Sequence, residues 1–346
     1  MRKRTYLRTS AGTAAGLALF LLFAGSSPLS GQSLDIPSHR WGVSFGNSRK
    51  FTGLRFNFRD SRVRRISGIN VTLWQPRKDN KEAVVSGISL GVIPGGGTLK
   101  GLQVGPLGIA AETKLSGISV GLLGLESGGD ISGINIGGLG AGAGENVKGL
   151  NVGGLGVGAG EDLFGINIGG LGAGAGENMT GLNMGGLGVG AGENVIGINI
   201  GGLGAGAGEN MVGINVGGVG AGGRLAGINI AGLAAGAGDE LIGLTVSGIA
   251  AGSTKVRGIT IAGGAVGGQD LKGVHLAVGS VLVTKGGRMT GLMASAFNYV
   301  RGHQTGLAVG IVNYAYSVKG LQIGLVNIVR DNPRGLKVLP IFNSSF

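Results

Sequence analysis

Three histidines, His39, His275 and His303, and a recurring Glu-Asn pair (Glu145-Asn146, Glu177-Asn178, Glu193-Asn194, Glu209-Asn210) are the residues whose types could do chemistry in this chain. Nucleophilic catalysis needs a base held beside a nucleophile, and the three histidines lie in different regions. His275 also occupies a slot that holds Asn or Thr in other parts of the sequence, so it reads as a face residue. Polysaccharide-cleaving solenoids group several carboxylates across neighbouring coils. Here the glutamates come singly in identical contexts, with no second acid or basic partner clustered with them. The Glu-Asn pairs read as solvated turns rather than a cation column. Glycine strings such as Gly138-Leu139-Gly140-Ala141-Gly142 match loose phosphate-loop patterns, but no Lys-Ser/Thr follows. Calcium-binding β-roll repeats carry Gly-Gly-x-Gly-x-Asp, and this chain has Ala-Gly or Val-Gly where the aspartate ligand belongs. It has no cysteine, hence no thiolate metal site and no disulfide. The expectation is a protein that is not an enzyme, with no catalytic, cofactor-binding or metal-binding residues and no cofactor.

The elements that would carry these residues are set by glycine, which supplies 80 of the 346 residues, roughly three times its ordinary usage. Glycine costs a helix interior about 1 kcal/mol relative to alanine, so the helical classes recede. A hydrophobic fraction of 42% is too high for a disordered polar linker. Aligned on Gly133-Ile134-Asn135-Ile136, one glycine position recurs every sixteen residues at Gly149, Gly165, Gly181, Gly197 and Gly213. The series extends back to Gly53 and forward to Gly335 at looser spacing, giving about nineteen units in one array. Two residues after the key glycine stands a polar slot (Asn135, Asn151, Asn167, Asn183, Asn199, Asn215, Asn229), and two before it an apolar slot (Leu115 through Leu241). Strict alternation of this kind signals strands.

Apolar parity changes within a unit. Val147 is odd, Leu150 and Val152 are even, and Leu155, Val157 and Ala159 are odd again. Bends at Gly149 and at Gly153-Gly154 would return all of them to one interior, and glycine tolerates such bends because it enters φ > 0 without a Cβ penalty. The chain is therefore expected to be all-β, a repetitive β-solenoid of about nineteen short coils that stacks Leu on Leu and Asn on Asn. Serine or threonine fills the polar slot in other units, so Asn151→Ser should be mild. The rival architecture is an outer-membrane antiparallel β-barrel, since a spanning strand and turn also occupy about sixteen residues. A 32-residue super-period, the terminal Phe346 and the repulsion of stacked glutamates favour it. Against it, Phe164 is the single aromatic between residues 75 and 296, so the interfacial girdles of a barrel are missing there.

The N-terminus reads as an export leader. Arg2, Lys3, Arg4 and Arg8 precede the apolar run Ala14 to Ala24 and small residues to Gly31. The expected organisation is a signal peptide over 1–31, an N-terminal cap strand region over 32–52, and the tandem array over 53–346. Charge is blocked along the chain: residues 32–100 hold twelve Lys/Arg against four acids, 101–250 three against eleven, and 251–346 ten against two. Basic residues at both ends of an acidic middle do not make a nucleic-acid footprint. They suit envelope lipid or polysaccharide, or plain solubility.

The C-terminal stretch Gly320-Leu321-Gln322-Ile323-Gly324-Leu325-Val326-Asn327, followed by Asn332-Pro333 and Gly335, resembles a leptospiral-type bacterial Gly-rich surface-repeat family with tandem Gly-Leu-Gln-Ile-Gly-Leu-x-Asn units. The opening Trp41-Gly42-Val43-Ser44-Phe45 fits the same pattern, and the Gly/Ala-rich middle departs from it. The resemblance implies an exported, envelope-associated protein and carries no catalytic residue across. The functional expectation is an exported cell-surface or secreted structural or interaction protein, at the cell surface, in the outer membrane or outside the cell.

Overall fold

The structure, a computed structural model, describes residues 33–345; the expected leader over 1–31, Gln32 and Phe346 lie outside them. Strands from Ser33 to Ser345 join into one continuous sheet, and the described residues contain no α-helix, only a 3-10 turn at Lys78–Asn80. Consecutive units pair in parallel and in register, for example Val147 with Leu163, Gly149 with Gly165, Asn151 with Asn167 and Gly153 with Gly169. Parallel pairing of each unit with the next winds the chain into a β-solenoid of about 17 turns and leaves no antiparallel barrel.

A central coil has two limbs. Val147–Gly153 forms the first, bent at Gly149, and Gly156–Ala159 the second. The corner glycines keep φ between 105° and 138° from Gly42 to Gly320. A Cβ on Gly149 would also overlap the carbonyl oxygen of Gly133 one rung earlier, so conformation and space both demand glycine there. The bend at Gly153-Gly154 needs glycine for a different reason than expected. Neither residue has positive φ; instead, added Cβ atoms would overlap the carbonyls of Gly156 and Gly138. Close approach of backbones, not a left-handed conformation, fixes these two.

The array is shifted by one unit from its expected limits. Gly42 already stacks under Gly53, within the region expected to be a cap strand, and that first step of eleven residues is shorter than a full coil. Gly335 leaves the column and sits in a turn. Antiparallel strands close both ends: Ser33–Pro37 pairs with Trp41–Gly46, and Val338–Ser345 pairs with Val312–Val329. Such caps occupy backbone groups that would otherwise be an open template for other chains.

Each coil buries little besides three side chains. Val147, Asn151 and Val157 point inward, and the same columns hold Leu163, Asn167 and Ala173 in the next rung. The apolar slot two before the corner is core as expected, with Leu115, Ile131, Leu163, Met179 and Leu225 all at 0% exposure. Burying such a side chain contributes about 1.5–3 kcal/mol. The 32-residue super-period is not a hairpin signal. It is an alternation of Ala141, Val157, Ala173, Val189, Ala205 and Val219 in the second core column.

The expectation that all apolar residues of a unit share one interior is overturned. Leu150, Val152 and Leu155 face outward while Asn151 is fully buried. The coil is too narrow for more: an added Cβ on Gly153 already meets the Gly156 carbonyl and the Cα of Gly140. With room for one residue between Val147 and Val157, the inward place goes to the side chain that bonds to its own copy in adjacent rungs.

Candidate interaction surface

The first limb is polar inside and apolar outside. Inside, the slot two after the corner runs from Ser44, Arg55 and Asn70 through Ser89, Gln103 and Ser119 to the seven asparagines Asn135 to Asn229, then Thr245, Thr260 and His275, the apolar Met293 and Ala308, and Gln322, all buried. Each asparagine from Asn135 to Asn215 donates its Nδ2 to the Oδ1 of the next rung at 2.8–2.9 Å. The ladder ends on Thr245 Oγ1 at 3.4 Å from Asn229. At its other end Asn135 Oδ1 has no hydrogen-bond partner, and Gln103, with its amide turned so that Nε2 donates to Ser119 Oγ at 2.9 Å, reaches only as far as the serine. A buried amide costs 1–3 kcal/mol when unmet and nearly nothing when both ends are bonded, which is why asparagine is tolerated in this core.

Outside, the positions one and three residues after the corner form two columns. In all nineteen rungs from Gly42 to Gly320 the first is Val, Leu or Ile, and the second is Val, Leu, Ile, Met, Phe or Ala. None of these side chains is buried, and Ile134, Ile136, Ile166 and Ile198 are each about two-fifths exposed, at 41%, 41%, 43% and 41%. Beside them runs a ridge of Leu139, Leu155, Leu171, Leu187 and Leu203, half-exposed or more and joined through backbone hydrogen bonds from rung to rung.

The two outer columns hold no titratable group, and the glutamates lie elsewhere on the coil. Glu145, Glu161, Glu177, Glu193 and Glu209 stack in the turn that leads from the second limb to the next first limb; the amides of the last four donate to the glutamate carbonyl one rung earlier at 2.8–3.0 Å, and that of Glu145 donates to the Gly129 carbonyl at 3.2 Å. Their side chains are exposed. At ~4.8 Å spacing the repulsion is at most ~0.9 kcal/mol per pair in water, further reduced by salt. The paired asparagines make a second ladder: Asn194 bonds Asn178 at 3.0 Å, Asn210 bonds Asn194 at 2.9 Å, and Asn146 donates to Asp130 at 3.0 Å. That last bond, aided by Lys114 and Lys148, outweighs burial and holds the Asp130 carboxyl below its ordinary value.

The three histidines are not brought together. His39 is exposed beside Asp35 at 3.4 Å, His303 is exposed beside Ser317, and His275 is an interior residue rather than a face residue. Among the described residues no three His, Asp or Glu side chains converge as metal ligands. One buried polar cluster could not be read from the sequence. Arg55, at 0% exposure in the slot that holds Asn elsewhere, bonds Asp60 at 2.6 Å, Asn70 at 2.7 Å and Ser48 at 3.1 Å. Asp60 also accepts from Asn57 at 2.6 Å and Thr72 at 3.2 Å. A lone arginine in a polar repeat slot was the available signal. The cluster extends through Asn47 to the Ser61 backbone and fills the interior of the N-terminal rungs.

Comparison with protein-family models, with curated proteins and with solved structures returns no match.

Proposed function

We propose that this chain is an exported, non-catalytic structural or interaction rod, deployed at the cell surface, on the outer membrane or outside the cell. The observation that carries the reading is the axial use of polar chemistry. From Asn135 to Asn229 the interior amides bond their own copies in adjacent rungs, so their hydrogen-bonding capacity is spent on stacking coils rather than on a substrate. The surface carboxylates come one per coil in the same context. The leader-like residues 1–31 and the likeness of the Gly320–Asn327 segment to bacterial surface repeats support export. Basic residues at both ends suit envelope lipid or polysaccharide.

Small-angle scattering on the chain lacking residues 1–31, in detergent-free buffer, tests the rod. Eighteen rises of ~4.8 Å between the first and last corner glycines give a length near ~86 Å. A compact particle, or a product that dissolves only in detergent, overturns the reading. Export is tested separately by mass spectrometry of the extracytoplasmic fraction, where a mature N-terminus near Gln32 is expected.

A further inference from the structure

The outer face of the first limb is apolar from end to end, two columns of nineteen side chains with none polar and none buried. At ~4.8 Å per rung it is ~86 Å long, and with side chains about 12 Å wide, so it presents about 1,000 Å². The largest apolar patch of a typical monomer is about 300–600 Å². The coil does not require it. One residue before the corner, the neighbouring exposed column carries Thr52, Lys100, Lys148 and Thr305 in the same parallel sheet.

We propose that this face is a homodimer interface, in which two copies of the chain pack their first limbs against each other along the array. The proposal goes beyond the rod reading and holds wherever the protein resides. A second copy offers a face of the same length and the same rung spacing, so every aliphatic side chain of one meets an aliphatic row of the other, as in two sheets packed about 10 Å apart. The pair would bury about 2,000 Å² in total, enough for a stable dimer. Along the central rungs the backbone of the face is already in the parallel ladder, and the end rungs pair with the antiparallel caps, so contact needs no further hydrogen bonds. The glutamate column lies in the turn between the second limb and the next first limb, outside this contact, so joining two copies sets no glutamate against another.

A bilayer is the other apolar partner of comparable extent, and the residues around the face disfavour it. Helices and strands that rest at a membrane surface carry basic flanks and Trp or Tyr anchors. The two columns contain neither Trp nor Tyr, and residues 101–250, the central rungs, hold eleven acids against three cations; the flanking column has Trp41 only at its first rung, and its cations Lys100, Lys148, Arg257, Lys272 and Lys319 are spread over five of the nineteen rungs.

Sedimentation velocity and light scattering on the purified chain in detergent-free buffer test the proposal. The wild type is expected to run at twice the chain mass at micromolar concentration. The variant Ile134→Thr, Ile136→Thr, Ile166→Thr, Ile168→Thr replaces three exposed residues and the half-buried Ile168 by a good strand former. It should keep its strand circular dichroism and weaken dimerisation by about 100-fold or more. Ile198→Lys with Ile228→Lys probes a separate stretch of the same face and should do the same, so a folding failure in one variant leaves the other to decide. Ser132→Lys, beside the corner but off the face, should leave the dimer intact. A monomeric wild type, a dimer indifferent to both face variants, or an open assembly larger than two copies overturns the proposal. So does a monomer that binds phosphatidylethanolamine–phosphatidylglycerol vesicles through the same isoleucines.

Discussion

Asn151 donates its side-chain amide to Asn167 Oδ1 at 2.8 Å, and neither side chain has any solvent exposure. The bond runs along the solenoid axis, so each asparagine depends on the coil before it and the coil after it. Asn167→Leu would leave Asn151 Nδ2 without an acceptor and Asn183 Oδ1 without a donor. At about 1–3 kcal/mol for each unmet buried group, the expected loss is roughly 2–6 kcal/mol, read as a lowered denaturant midpoint. Asn151→Ser belongs on the same scale and is not the mild change that a solvent-facing slot implied, because a hydroxyl is too short to span to both neighbours. Serine occupies the slot at Ser44, Ser89 and Ser119: the longer Gln103 reaches Ser119, but Asn135 Oδ1 in the next rung and Ser89 Oγ are both left without a partner. A serine variant that melts with the wild type would refute the ladder as a stabilising element.

Two glycines four residues apart should respond in opposite directions. At Gly154 an added Cβ overlaps the Gly138 carbonyl, so Gly154→Ala must move a rung and should lose at least ~1–3 kcal/mol. At Gly158 the nearest atom to an added Cβ is the Gly174 oxygen at 4.0 Å, and φ is not left-handed. Gly158→Thr is expected to match the wild type or gain up to ~1 kcal/mol, since glycine weakens a strand interior. Thermal melting of the two single variants checks this, and equal losses would mean that the outer face of the second limb is more crowded than the structure has it.

The repeat spacing, the corner at Gly149 and the core column of Val147 and Leu163 were legible because each depends on local chemistry: a conformation only glycine adopts freely, and apolar residues at a fixed offset from it. The Glu161 column followed from the same register. What could not be read was which side of the alternation is inside. Leu150 and Asn151 mark two faces, and hydrophobicity alone assigns the leucine inward. The choice is reversed by a quantity absent from any single unit, the axial hydrogen bond to the identical residue sixteen positions away. Arg55 was missed for a related reason, since its partners Asp60 and Asn70 come from a turn and the following rung.

Arg55 and Asp60 form a buried ion pair with side-chain exposures of 0% and 3%. Removing one member of such a pair strands a charge and typically costs about 3–5 kcal/mol. Because solenoid stability is a sum of neighbouring-coil terms, Asp60→Ala should loosen the N-terminal rungs and leave the central ones in place. Hydrogen exchange is expected to show lost protection over residues 41–75 with protection near Asn167 unchanged. Uniform loss along the array would show a cooperative fold rather than a local plug.

His275 supplies the pH dependence. It is fully buried between the register partners Thr260 and Met293, and neither ring nitrogen has a hydrogen-bond partner. Burial pushes its pKa from 6.5 down to about 4. The unfolded chain therefore binds a proton between these values that the folded chain does not, and the slope of unfolding free energy with pH is positive there. Stability is complete above about pH 6.5 and is lost as pH falls towards 4, by roughly 3 kcal/mol in full. Asp79 and Asp130, both held below 3.8, act only at still lower pH. Denaturant midpoints at pH 7.5 and pH 5 should differ for the wild type by the equivalent of about 2 kcal/mol. His275→Thr, which places in this rung the residue already found at Thr260, should bring the two midpoints closer by that amount. If the variant keeps the wild-type slope between these pH values, the buried imidazole is not what the array loses to acid.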